Sequence, residues 1–248
     1  MQPHMEVPPE LLTNYFSWRT RLLLRRLLVV FENGRWATRN LEGYSSDAHR
    51  YQYIFVSYTN AHWRTGDESE GYEERRRQLE RVAERLALED GCNAYWMDFK
   101  CRAQEKEGAL LDSDVNRFCD VTRGAKKVVV ALPGNDPQEQ AMKTRGNRMW
   151  TLPEGLLASG RSVGFFTAKT SKMLHKTKIQ MTADVWNERP KTTRDVQSAR
   201  LLAEHFTGLL TLGRLELFSL ALDALGKRQA MKQQSDEPPK RPELAYGT

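Results

Sequence analysis

Lys127-Val128-Val129-Val130-Ala131-Leu132, followed at once by Pro133-Gly134-Asn135-Asp136-Pro137, is the stretch that decides the fold. An almost unbroken apolar, β-branched run ended by a turn signal reads as a strand buried on both faces. Two upstream stretches share this character: Tyr51-Gln52-Tyr53-Ile54-Phe55-Val56-Ser57-Tyr58 and Ala94-Tyr95-Trp96-Met97-Asp98. A fourth strand is expected at Ser162 to Phe166.

Helical patterns lie between the strands. Glu73 to Leu88 sets Leu79, Val82 and Leu86 on one face with arginines opposite, and Gly91 ends it. Asp112 can cap a helix carrying Val115, Phe118, Cys119, Thr122 and Ala125, and a short helix is expected from Leu152 to Ala158. Strands alternating with helices imply βαβ units with right-handed crossovers, hence an α/β fold whose mostly parallel sheet is flanked by helices. In such sheets ligands bind at the carboxyl ends of the strands, where Ser57, Asp98 and Pro133 fall.

Both ends of the chain read as additional helices. Leu11, Leu12, Tyr15, Phe16 and Trp18, then Leu22, Leu23, Leu24, Leu27 and Leu28, follow helical spacing with arginines on the other side, predicting an N-terminal helical segment over 1–49. It packs against the domain or a partner, or lies on a membrane surface. The domain proper is expected over 50–232. Beyond residue 168 the strand signal fades, and helices are expected from Asp195 to Phe206 and from Leu209 to about Arg228. Residues 233–248, with Pro238, Pro239 and Pro242 among charges, read as a disordered tail.

The bulk composition excludes several classes of function. Of 248 residues, 40% are hydrophobic and 28% charged, an ordinary globular balance. No apolar run approaches the ~20 residues that span a bilayer, since Leu22–Phe31 is broken by Arg25 and Arg26. A soluble, cytoplasmic protein is expected. Three cysteines (Cys92, Cys101 and Cys119) form no CxxC pair, and the histidines are scattered singly, so neither a disulfide framework nor a metal site is expected. The net charge of +6 comes from 38 basic and 32 acidic residues, largely interspersed. The densest basic run, Lys169 to Lys178, has no interleaved aromatics to stack on bases, so it reads as a solvated loop and no specific nucleic-acid binding is expected. Neither GxGxxG nor a Walker A sequence occurs.

Four motifs stand in order along residues 50 to 168, and together they resemble the fungal heterokaryon-incompatibility (HET) domain. Ser57-Tyr58 is similar to that family's Ser-Tyr at the end of the first strand. Trp96, Asp98, Cys101 and Gln104 match its Trp-x-Asp-x-x-Cys-Ile-Asn-Gln run, with Arg102-Ala103 in place of Ile-Asn. Phe118 through Ala125 to Leu132 resembles its helix and apolar strand. Arg148-Met149-Trp150-Thr151-Leu152-Pro153-Glu154 resembles its Arg-x-Trp-Thr-x-Gln-Glu motif, with Pro153 where Gln is common. The usual Trp-Gly after Ser-Tyr is Thr59-Asn60 here.

The resemblance implies a self/non-self recognition and programmed-cell-death module of fungal innate immunity, acting as a homo-oligomer or with other signalling proteins. It also implies a flavodoxin-like fold akin to Toll/interleukin-1 receptor (TIR) domains, some of which cleave NAD with a glutamate in a Trp-Cys-x-x-Glu motif. Trp150 and Glu154 have that same spacing. On this likeness Glu154 is the catalytic residue, Ser57, Tyr58, Asp98 and Trp150 bind substrate, and NAD is a substrate with no cofactor required. A non-catalytic interaction module is the alternative.

The residues themselves leave other roles open. A carboxylate beside the ribose stabilises an oxocarbenium-like transition state, which suits Glu154. Thr151-Leu152-Pro153-Glu154 also reads as a Thr-x-x-Glu capping box, in which Glu154 satisfies backbone N–H groups. Asp98 fits local backbone bonding in a loop, and Trp150 and Trp96 fit the core or a cleft wall. Cys101 reads as a buried, inert thiol, and Ser57 lacks a nucleophile elbow.

Overall fold

Among the described residues seven strands form one mixed sheet: β1 (Leu28–Glu32), β2 (Arg35–Arg39), β3 (Tyr53–Tyr58), β4 (Ala94–Met97), β5 (Lys127–Leu132), β6 (Ser162–Thr167) and β7 (Leu174–Thr177), in the order β2-β1-β4-β3-β5-β6-β7. The computed structural model describes residues 28–40, 51–58, 63, 71–101, 118–132, 138–146, 148, 150–159, 162–167, 173–186 and 197–236. Residues 1–27 of the expected N-terminal helical segment, Asp112 as the expected cap of the helix before β5, the turn 133–137, Lys169, Lys172 and the tail 237–248 lie outside them.

The four central strands are parallel, with Phe55 facing Trp96 and Val128 in register, and Val130 facing Phe165. Each is buried along nearly its whole length, as continuous apolar runs in a covered sheet must be. Chain order among the four changes direction between β3 and β5, which makes that boundary a topological switch point.

Helices cover both faces. On one side lies α1 (Tyr72–Glu89), burying Leu79, Ala83, Leu86 and Ala87 while its ion pairs, such as Arg81–Glu74, face water. The short α2 (Asp98–Cys101) follows β4 directly. Residues 118–124 are helical and lie on the other side, where Phe118 packs edge-on to Phe55. That side also holds α3 (Gln138–Gly146), α4 (Thr151–Leu157), α5 (Lys178–Asp184) and α6 (Ser198–Phe206), with α7 (Arg214–Asp236) packed outside α6.

Three expectations are corrected. The predicted helix gives way to a hairpin at 28–39: β1 pairs antiparallel with β2 and with β4, so this part of the N-terminal segment belongs to the sheet. The reason is local. Val29-Val30-Phe31 favours a strand, and Asn33 and Gly34 both take positive φ, as a two-residue turn between twisted strands requires. At the opposite edge β7 is a strand, and Lys178 within the expected solvated basic run is buried. Residues 233–236, placed in the tail, continue α7. Both edge strands carry basic side chains (Arg35 and Arg39 on β2, Lys176 on β7), a charge pattern that discourages edge-to-edge pairing.

Candidate functional site

Alternation along β3 decides which side chains meet. Tyr53, Phe55 and Ser57 share the face covered by 118–124, α3 and α4, whereas Tyr58 turns to the opposite face and packs edge-on against Phe99 of α2. Ser57 is the last residue of β3 on its face and lies beside Val130 of β5, at the switch point.

Glu154 reaches Ser57 from α4, and Arg145 from the last turn of α3 joins them. The Arg145 Nη2 donates to Glu154 Oε2 at 2.7 Å and also to Ser57 Oγ, while Ser57 Oγ donates to Glu154 Oε2. The result is a closed triangle of a cation, a hydroxyl and a carboxylate. All three residues are buried, with Arg145 2% and Glu154 8% exposed. An ion pair in such a place is sustained only if its remaining polar atoms are also bonded, and Ser57 supplies that third partner.

The capping-box reading of Glu154 is therefore corrected. Residue Trp150 occupies the N-cap position without a side-chain cap. The Thr151 hydroxyl instead donates to the carbonyls of Arg148 (2.8 Å) and Gly146 (3.4 Å). Because Thr151 is already inside the helix, its side chain points back to the preceding turn rather than across the helix start.

Two glycines let α3 and α4 come this close to α5. A Cβ on Gly155 would lie 2.7 Å from the ring of Trp186 and 2.8 Å from Met181 Cε, and one on Gly146 would lie 1.6 Å from the Val185 carbonyl oxygen. Beneath the triangle, a cavity of about 10 Å³ is bounded by Val128, Val130, Val163 and Phe165 of the sheet and Met181 of α5. That holds one water at most. Ser57 marks the strand-end side of the cluster, near the end of β3.

On that side stand Trp150 and Arg148. Trp150 is 42% exposed and rests edge-on against Phe118, which in turn packs on Trp96. Asp98 is half-buried as the first residue of α2, not in a loop, and its charge is felt at Arg148. The structure thus joins Ser57 to Glu154 directly, sets Trp150 and Asp98 at the same end of the sheet, and turns Tyr58 to the other face.

Arg145 was not found from the sequence. It precedes Glu154 by nine residues, across the helix break after Gly146, so no single-helix spacing connects them. Cys101 is buried and burial pushes its thiol up to about 12, far from the thiolate a nucleophile needs. Among the described residues no group of His, Cys, Asp and Glu is placed to hold a metal ion, and no helix is long and apolar enough to cross a membrane.

No protein-family model, curated protein or solved structure matches this chain.

Proposed function

We propose that this chain is a HET-type, TIR/flavodoxin-like effector domain of cytoplasmic self/non-self recognition, and that it cleaves the nicotinamide–ribose bond of NAD. The observation that carries this reading is the contact of the Glu154 carboxylate with Ser57 Oγ at the carboxyl end of β3, beside the switch point where nucleotides bind in doubly wound sheets.

The chemistry asks little of the protein. The C1′–N bond breaks with its electron pair going to the pyridinium nitrogen, so nicotinamide leaves neutral. Water then adds to C1′ and gives up a proton. Glu154 stabilises the positive charge that develops on the ribose. Ser57 and Arg145 hold the carboxylate in place, and Trp150 offers a ring for the nicotinamide to stack on. Asp98 lines the same end of the sheet, and Tyr58 supports it from the opposite face. Self-association brings the domain to its active state, with cell death as the output.

A second reading, a non-catalytic assembly module, is favoured by a separate observation. Leu215, Phe218 and Leu222 form an exposed apolar stripe on α7, at 84%, 63% and 54% exposure, while Leu217 and Ala221 of the same helix pack on the core.

The deciding measurement is NAD consumption and nicotinamide release by the purified protein at concentrations that drive self-association. Alongside it run Glu154→Gln and the charge-balanced double variant Arg145→Gln/Glu154→Gln, both checked for folding. Turnover by the wild type that both variants lose supports the enzyme. Turnover that persists in folded Glu154→Gln removes Glu154 from the mechanism, and no turnover under any condition leaves the assembly module.

A further inference from the structure

Arg148 takes no part in the Ser57–Arg145–Glu154 triangle, yet it lies close enough to feel the charges of both Arg145 and Glu154. It lies in the turn between α3 and α4, three residues after Arg145 and two before Trp150. Its backbone is fixed from both directions: its N–H donates to the Arg145 carbonyl at 3.0 Å, and its carbonyl accepts from the Thr151 hydroxyl at 2.8 Å. The residue reaches solvent while part of it is covered by its neighbours, and it forms no salt bridge among the described residues. Arg145, a like charge that acts on it, is already committed to Glu154.

Among the described residues no carboxylate forms an ion pair with this guanidinium, although Glu154 and Asp98 act on it from a distance. Partial burial and the neighbouring Arg145 charge pull the Arg148 pKa below its ordinary value, against the smaller opposing pull of Glu154, Tyr58 and Asp98. An arginine stays protonated regardless, so such a site gains from any anion that supplies the missing negative charge. The planar fork of a guanidinium matches two phosphate oxygens at once. Its neighbours narrow the anion further. Trp150 presents an exposed ring two residues on, and the position is the carboxyl end of a doubly wound sheet. A ligand with both a diphosphate and a flat base uses all of these.

We propose that Arg148 is the diphosphate-binding residue of a dinucleotide site that opens over the Ser57–Arg145–Glu154 triangle. This rests on the NAD reading for the ligand's identity, and extends it by assigning the contact that holds the ligand.

The test separates the two claims because it needs no turnover. Calorimetric titration with ADP-ribose, which carries the diphosphate, is compared with adenosine, which does not, on the wild type, Arg148→Ala and Arg148→Lys. Arg148→Ala is expected to weaken ADP-ribose binding on the order of tenfold to a hundredfold, with adenosine unaffected. Arg148→Lys falls between, since it keeps the charge and loses the fork. The wild-type affinity should also drop as salt is raised, and the alanine variant should show a shallower drop.

ADP-ribose binding equally tightly to Arg148→Ala overturns the assignment. So does an equal loss of adenosine, which marks a structural effect, and so does absence of ADP-ribose binding at millimolar concentration. Arg148-dependent ADP-ribose binding without NAD consumption sustains the site and sinks the enzyme. NAD consumption with an unchanged KM in Arg148→Ala does the reverse.

Discussion

The Ser57 hydroxyl and the Glu154 carboxylate, 97 residues apart in the chain, are hydrogen-bonded to one another inside the fold. With Arg145 they tie the end of β3 to α3 and α4 in a single contact. Any chemistry at Glu154 therefore inherits the energetics of a buried ion pair.

Removing one charge should cost far more than removing both. Glu154→Gln or Arg145→Gln leaves an uncompensated buried charge, and each is expected to lower unfolding stability by about 3–5 kcal/mol. The double variant Arg145→Gln/Glu154→Gln restores neutrality and should recover a large part of that loss. A double-mutant cycle by urea unfolding measures the coupling, which must exceed the cost of either single variant and is therefore expected above about 3–5 kcal/mol. Additive single losses would show that the pair is not coupled, and that the triangle does not organise this end of the sheet.

The close approach of α4 to α5 makes a second prediction, with a built-in opposite. Gly155→Ala places a methyl 2.7 Å from the ring of Trp186, which is fully buried. Overpacking of this kind costs about 1–3 kcal/mol. Gly146→Ala, which meets the Val185 carbonyl at 1.6 Å, should cost more, because the obstacle is backbone. Gly226 on α7 has nothing within 4 Å of an added Cβ, so Gly226→Ala should stabilise by about 0.5–1 kcal/mol. Thermal melts of the three variants check the order. If Gly155→Ala melts with the wild type, the contact between α4 and Trp186 is loose enough to accept a methyl, and Glu154 is free to move.

Strands buried on both faces were the legible part of this fold. Val128 to Leu132 and Ile54 to Val56 are apolar without interruption because parallel pairing hides both sides, and the sequence records that burial directly. Edge strands carry no such record. Leu174–Thr177 is largely exposed and reads as polar, though its backbone completes the sheet. Asn33-Gly34 was a usable hairpin signal, but the leucine spacing from residue 11 to 28 obscured it by suggesting that a helix continued. At the site, Ser57 and Glu154 could be chosen from the ends of elements where ligands bind. Their partner Arg145 could not, because only the packing of α3 against β5 and α4 brings it to the end of β3. The Thr-x-x-Glu spacing was present but misleading, since the helix begins one residue before Thr151 reaches a capping position.

Lys178 gives the third prediction, and its sign follows from where the charge is buried. Its ammonium donates to the carbonyls of Leu156 and Ala158 at 2.9 and 2.8 Å, closing the C-terminal end of the helix that carries Glu154. A cation there bonds carbonyls left without partners by the helix end. Burial still costs it, and lowers its pKa from 10.5 to about 8. Between about pH 8 and 10.5 the unfolded chain holds this proton more often than the folded one does. Stability attributable to Lys178 must therefore rise with pH across that window, by about 1–3 kcal/mol, and be flat below it. The neutral amine still donates to both carbonyls, so the contact survives the titration. Lys178→Met loses both hydrogen bonds and the titration together: it should be less stable at pH 7, and the gap to the wild type should widen between pH 8 and 10. Urea unfolding of both proteins at each pH isolates the difference from every other group that titrates in that range. A gap that stays constant would mean Lys178 is solvated in the fold, and that the end of α4 is held by something other than this ammonium.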